Sequence, residues 1–142
     1  MNITFMDVYL HPSAAETLFD LLQRRTATEA ISHAAPPSFD KHLEFFNSRP
    51  YLHWYFVEVN GALAGTLYVT DENTIGLSIA DQFTSLRPAI LRKAITEHEP
   101  LPAIPSKRVG RFAINVSPRN NDLIADVIAA GGAHVQNTYL LE

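Results

Sequence analysis

The sequence predicts an α+β fold. It would be a mixed sheet of six or seven strands with about four helices, in the order β-α-α-β-β-β-α-β-α-β. Three observations carry this. The centre of the chain is a run of aromatic and β-branched residues cut by tight-turn signals. Before it lie two stretches of helical periodicity. After it, strand and helix patterns alternate, which demands crossover connections and hence some parallel pairing.

Each element follows from local chemistry. Ile3, Phe5 and Val8 mark a first short strand. Ser13 and Glu16 stand at capping-box spacing, and Leu18, Leu21 and Leu22 then repeat at helical intervals, so a first helix should run to about Arg25. A polar loop through Thr28, Ser32 and Pro36-Pro37 leads to Ser38, an N-cap residue type. Phe39, His42, Leu43 and Phe46 follow on one helical face, and Asn47 to Pro50 ends that helix. His53 to Val59 reads as a strand. Asn60-Gly61 is a strong hairpin signal, Leu63 to Thr70 returns, Asp71-Glu72-Asn73 turns, and Thr74 to Ala80 completes an antiparallel meander. Pro88 suits the first turn of a helix whose apolar face is Ile90, Leu91, Ala94 and Ile95. Pro100, Pro102 and Pro105 stiffen the connection to a strand from Val109 to Val116. Ser117-Pro118 opens a last helix with Leu123, Ile124, Val127 and Ile128 inward, Gly131-Gly132 stops it, and His134 to Leu141 forms a last strand.

Composition bounds the function. The 142 residues, 46% apolar and 18% charged, suit one domain spanning 1–142. No apolar run reaches the length of a membrane span, and the N-terminus lacks the basic start of a signal peptide. The chain has no cysteine, which excludes disulfides, thiolate zinc sites and a cysteine nucleophile and fits a cytoplasmic protein. A net charge of −4 argues against binding a nucleic-acid backbone and does not repel an amine. His11, His53, His98 and His134 show no ligand spacing, so no metal site is expected.

Several segments, in order, resemble one branch of the GNAT superfamily of acyl-CoA-dependent N-acyltransferases. They are Ile31-Ser32-His33, Pro37-Ser38, His42 with Phe45 and Phe46, Pro50-Tyr51 and Trp54-Tyr55. Gly65 and Tyr68 follow, then Asn73-x-Ile75-Gly76. The end is similar too: Phe112-x-Ile114-Asn115, Pro118-x-Asn120 and Gln136-x-Thr138-Tyr139-x-Leu141. The resemblance covers nearly the whole chain. It implies that the strands ending near Ala80 and Asn115 splay apart and that the opened edge binds the pantetheine arm of acetyl-CoA. The residues at that edge would be Ile79, Ala80 and Asn115. The pyrophosphate would rest on Gln82, Ser85, Leu86 and Arg87 at the start of the next helix, with Asn120 either near the cofactor or helping to cap its helix. A primary amine of a small molecule or peptide would enter between the early helices and the sheet and attack the thioester directly. No metal takes part.

The catalytic candidates are Asn115, His33, His42 and Tyr68. Asn115 ends an apolar strand just before a helix, where a carboxamide bonds either substrate or its own turn. His33 and His42 would line the substrate pocket or be structural, and Tyr68 would be a proton donor or a core tyrosine. The sequence departs from the family pattern at several places, among them Gly132, where a Phe usually follows the terminating glycine. Ser85 and Arg87 stand where the pyrophosphate loop has glycines, and Val127 stands where many members have a proton-donating tyrosine. These departures keep open an alternative, a GNAT-shaped binding module without chemistry. An unrelated ferredoxin-like domain is a third reading. The last strand also offers an edge for a homodimer.

Overall fold

The computed structural model describes residues 1–24 and 37–141. Its elements are β1 (Ile3–Asp7), α1 (Ala14–Gln23), α2 (Phe39–Asn47), β2 (His53–Val59), β3 (Ala62–Val69), β4 (Thr74–Ile79), α3 (Arg87–Glu97), β5 (Ala113–Ile114) and α4 (Asn121–Ala129). Short 3₁₀ segments cover Val8–Leu10 and Asp81–Leu86. The sheet order is β1-β2-β3-β4-β5. The first four strands pair antiparallel and β4 pairs parallel with β5, which is the mixed sheet the crossover argument predicts.

The turns are built as the sequence signals. Asn60 and Gly61 both take positive φ, 50° and 83°, the conformation that a two-residue hairpin matched to strand twist requires. Ser38 caps α2 by accepting from the Lys41 N–H at 3.3 Å. Gly131, at φ +101°, ends α4. Its N–H and that of Gly132 donate to the carbonyls of Ile128 and Val127 at 3.0 and 2.9 Å, a Schellman ending.

Side-chain alternation divides the core into two layers. Trp54 and Phe56 of β2 pack with Val8, Ala14 and Leu18 on the α1/α2 side. Val57, Leu67, Val69, Ile75 and Ile79 pack with Ile90 and Leu91 on the α3 side.

Six expectations need correction. The sheet has five strands among the described residues, not six or seven. Residues 134–141 form no strand; no backbone hydrogen bond joins them to the sheet among the described residues. The strand expected from Val109 to Val116 shrinks to Ala113–Ile114. Its start is diverted because the Asn73 amide takes the Val109 carbonyl at 2.8 Å. The last helix opens at Asn121, not at Ser117-Pro118, because Asn120 donates its N–H back to the Ser117 carbonyl at 2.9 Å and makes a turn there. Ile128, expected inward, is 62% exposed. Ser13 precedes α1, but its side chain makes no capping bond; its own N–H instead donates to His11 Nδ1 at 3.1 Å.

Candidate functional site

The parallel pair β4–β5 is very short. Thr74 lies opposite Ala113 and Ile75 opposite Ile114, and there the ladder ends. Beyond it β4 continues to Ile79, still paired with β3 on its other side. The strands have split.

Backbone alternation decides what the split exposes. The Thr74 carbonyl accepts from the Thr70 N–H, and the Ala80 N–H donates to the Ala64 carbonyl, so even-numbered residues face β3. The Asn73 carbonyl accepts from the Ala113 N–H at 2.9 Å, so odd-numbered residues face β5. Leu77 and Ile79 therefore turn their N–H and C=O groups toward the opening. No strand pairs with them on that side among the described residues. Ile79 was expected at this edge. Ala80 does not serve there, since its N–H goes to Ala64 and its carbonyl accepts from the Phe83 N–H at 2.9 Å. Leu77 was missed; counting the period of two back from Ile79 would have found it.

Asn115 is the first residue past the last paired position of β5. It is exposed, and its side chain makes no hydrogen bond among the described residues. The carboxamide thus stands free beside the split.

The segment after β4 is wound tightly. Asp81–Leu86 is 3₁₀ and runs directly into α3. At three residues per turn, Phe83 and Leu86 fall on one side and pack against the core, leaving Gln82 and Ser85 exposed. None of residues 81–87 has positive φ, so Ser85 and Arg87 are accommodated without strain. The same winding consumes donors: the Phe83 N–H goes to Ala80 and the Arg87 N–H to Thr84. Arg87 itself is engaged. Its Nε lies 2.5 Å from Asp126 Oδ2 of α4, with both side chains largely buried. Arg92 adds a second tie between these helices, donating to the Ala129 carbonyl at 2.9 Å. Asn120 is buried, and its side chain caps α4 by accepting from the Leu123 N–H at 3.2 Å. Val127 packs against the core.

On the other face of the sheet, Tyr68 lies directly over Gly76. A Cβ on that glycine would fall 2.0 Å from Tyr68 Cζ. The ring also stacks on Tyr51, with centroids 3.9 Å apart and planes 8° from parallel. Tyr68 thus sits beside β4 on the α1/α2 side. His42 is 5% exposed, and its Nε2 donates to the Ala15 carbonyl at 3.0 Å, joining α2 to α1. The Phe19 and Phe39 rings flank it. This ring packs inside the protein rather than lining a pocket. His33 lies outside the described residues.

A separate cavity of about 260 Å³ lies at the opposite end of β4, lined by Leu52, His53, Asn73, Glu97, His98 and Phe112 among others. The His98 Nδ1 faces the Ala94 carbonyl at 2.8 Å and so carries a proton. Its Nε2 accepts from the Tyr55 hydroxyl at 2.7 Å. Burial, and then the neighbouring His98, push the pKa of His53 below its ordinary value. Burial, with Asp7 and Glu97, raises that of Tyr55. Among the described residues no group of three or more His, Cys, Asp or Glu could hold a metal, and no helix is long and apolar enough to cross a membrane.

No protein-family model matches the sequence, and no curated protein matches it. The structure is similar to the crystal structure of spermidine N-acetyltransferase from Vibrio cholerae in complex with CoA and spermine. The TM-score is 0.70 at 13% sequence identity, covering 99% of this chain and 88% of that one. The element order, the mixed sheet that splits between β4 and β5, and this likeness agree: the chain has the fold of the GNAT N-acetyltransferases.

Proposed function

We propose that the protein is an acetyl-CoA-dependent N-acetyltransferase acting on a primary amine of a small molecule or peptide. The observation that carries this is the split of β4 from β5. It leaves the Leu77 and Ile79 backbone groups as a short unpaired edge, which suits the amide-bearing pantetheine arm in the way an edge accepts an added strand. The CoA and spermine held by the structurally similar enzyme support both co-substrate and amine. In the reaction the amine nitrogen attacks the thioester carbonyl. A C–N bond forms, the C–S bond breaks, the nitrogen loses a proton and the leaving sulfur gains one. Binding both partners in one complex supplies proximity. The free Asn115 carboxamide is suited to bond the acyl or pantetheine oxygen, and the Tyr68 hydroxyl, on the α1/α2 side, is the expected proton carrier. Gln82 and Ser85, exposed at the start of α3, are suited to meet the pyrophosphate. The cysteine-free composition supports work in the cytoplasm.

One observation favours a second reading, a binding module without chemistry. The segment 81–87 spends several amides internally, and Arg87 is held by Asp126.

A thermal-shift titration with acetyl-CoA, with desulfo-CoA and ATP alongside, separates the two. A ligand that binds only the native state at a hundred times its Kd adds about 2.7 kcal/mol of stability. We expect a saturable rise in Tm with acetyl-CoA and desulfo-CoA but none with ATP. No shift at millimolar acetyl-CoA overturns the transferase reading and leaves the binding module.

A further inference from the structure

Ile75 and Ile114 are the last paired residues of β4 and β5, and both pack in the α3-side layer. Alternation then puts the next residues, Gly76 and Asn115, on the α1/α2 face. Tyr68 of β3 pairs with Gly76 and packs in the same α1/α2-side layer. Tyr68, Gly76 and Asn115 thus form one row across three strands, at the first position beyond the ladder. Gly76 is not there for its backbone. Its φ is not positive, and a glycine inside a strand weakens it. What excludes a side chain is the Tyr68 ring: a Cβ on Gly76 would lie 2.0, 2.1 and 2.5 Å from its Cζ, Cε2 and hydroxyl oxygen. The outer end of the ring therefore lies across β4, at the apex of the split.

The ring is also held in place. Tyr51 stacks on it, with centroids 3.9 Å apart and planes 8° from parallel. Tyr51 is in turn met edge-on by Trp54, at 4.9 Å and 85°, and by Phe45, at 5.7 Å and 77°. Rings packed in this way do not yield to an extra methylene without strain.

We infer that the Tyr68 ring, seated over Gly76 and braced by Tyr51, sets the length of the acyl group and admits acetyl but not longer chains. This rests on the acyl-CoA reading above. With the pyrophosphate at the start of α3 and the pantetheine arm on the Ile79 and Leu77 backbone, the arm runs down β4 and brings its thioester to the level of Gly76. The acyl carbons then project into the apex. Ile75 and Ile114 close the apex on the α3 face, and the Tyr68 ring closes it on the other. The methyl of an acetyl group meets the ring, and each further methylene needs volume that the ring fills. The amine keeps its approach farther up β4, beside Ser78, which shares the face of Gly76. Gly76 lets the ring lie this deep, so Tyr68 and Gly76 act together as one gauge. The role belongs to the bulk of the ring and is separate from any proton transfer by its hydroxyl.

The test is isothermal titration of the full chain with CoA, acetyl-CoA, butyryl-CoA and hexanoyl-CoA, in which CoA reports the cofactor arm alone. For the wild type, acetyl-CoA should bind at least as tightly as CoA, and hexanoyl-CoA about tenfold or more weaker than acetyl-CoA. Y68A should reverse the order, each methylene taken into the freed space adding about fourfold in affinity, with the affinity for CoA unchanged. Y68L should do the same more weakly, and it keeps an apolar side chain against Tyr51 should Y68A fail to fold. Y68F keeps the ring and loses only the hydroxyl, so it should select as the wild type does. A wild type that binds hexanoyl-CoA as tightly as acetyl-CoA overturns the gauge while the cofactor reading stands, as does a Y68L that gains nothing for the longer chains. If neither CoA nor acetyl-CoA binds, the acyl-CoA reading itself fails, and the gauge falls with it.

Discussion

Replacing Asn73 should do more damage than its place in a surface turn suggests. The residue is 1% exposed and holds φ at +63°. Its Nδ2 donates to the Leu101 and Val109 carbonyls at 2.9 and 2.8 Å, and its Oδ1 accepts from the Leu101 N–H at 2.8 Å. Its own carbonyl receives the Ala113 N–H. One side chain therefore clips the proline-rich connection to the start of β4 and fixes where β5 can pair. N73A removes three hydrogen bonds, each worth about 0.5–1.5 kcal/mol. It also puts a Cβ-bearing residue that lacks a local hydrogen bond into the left-handed region, at about 1–2 kcal/mol. The expected loss is about 3–6 kcal/mol, a large share of a small domain's stability. N73G keeps the backbone freedom and loses only the bonds, so it should be less destabilised than N73A by about 1–2 kcal/mol. N73D aims oxygen at two carbonyls and should be at least as harmful as N73A. Urea unfolding followed by circular dichroism measures all three. A loss under about 1 kcal/mol for N73A would refute the clip.

The Arg87–Asp126 pair and the His53 cavity give two further expectations. R87A and D126A should each cost about 1.5–3 kcal/mol, as for a hydrogen bond between charges, with strong coupling in a double-mutant cycle by urea unfolding. If Arg87 also grips pyrophosphate, R87A weakens acetyl-CoA binding while D126N, which frees the guanidinium, does not; equal affinity in R87A removes it from the site. For His53 the folded pKa lies below the ordinary value near 6.5, so on acidification the unfolded chain binds the proton first. Stability should fall as pH drops through 6.5 and level off below the folded pKa. H53Q should flatten that part of the profile, measured by urea unfolding at each pH. An unchanged slope would mean that His53 does not carry it.

Much of the candidate site was legible in the sequence, for local reasons. Alternating strand and helix patterns demand that β4 and β5 run parallel after a crossover, and the split itself was expected from the family resemblance. Tyr68 and Gly76 were both singled out, although only the register shows one ring resting over the other. Asn115 followed from its place at a strand end. For other residues the structure supplies partners that bear on their roles. His42 was weighed as a pocket or a structural residue, and α1 supplies the Ala15 carbonyl that its ring bonds. Asn120 was weighed as a cofactor contact or a helix cap, and its side chain caps α4. Arg87 was weighed as a phosphate ligand, but Asp126, on the next helix, holds it.

The sequence by itself determined most of the element types and the chain reversals. Hydrophobic periodicity and turn chemistry act within a few residues: Asn60-Gly61 makes the hairpin, Ser38 caps α2, and Gly131 ends α4. Only the tertiary structure decided which backbone edges stay open and which side chains are free to act. Those depend on contacts across the fold. Asn73 ends the reach of β5 by taking the Val109 carbonyl. Backbone alternation against β3 turns Leu77 and Ile79 outward. The pattern of 134–141 suggests a strand, but a strand forms only where an edge meets it, and none pairs with it among the described residues.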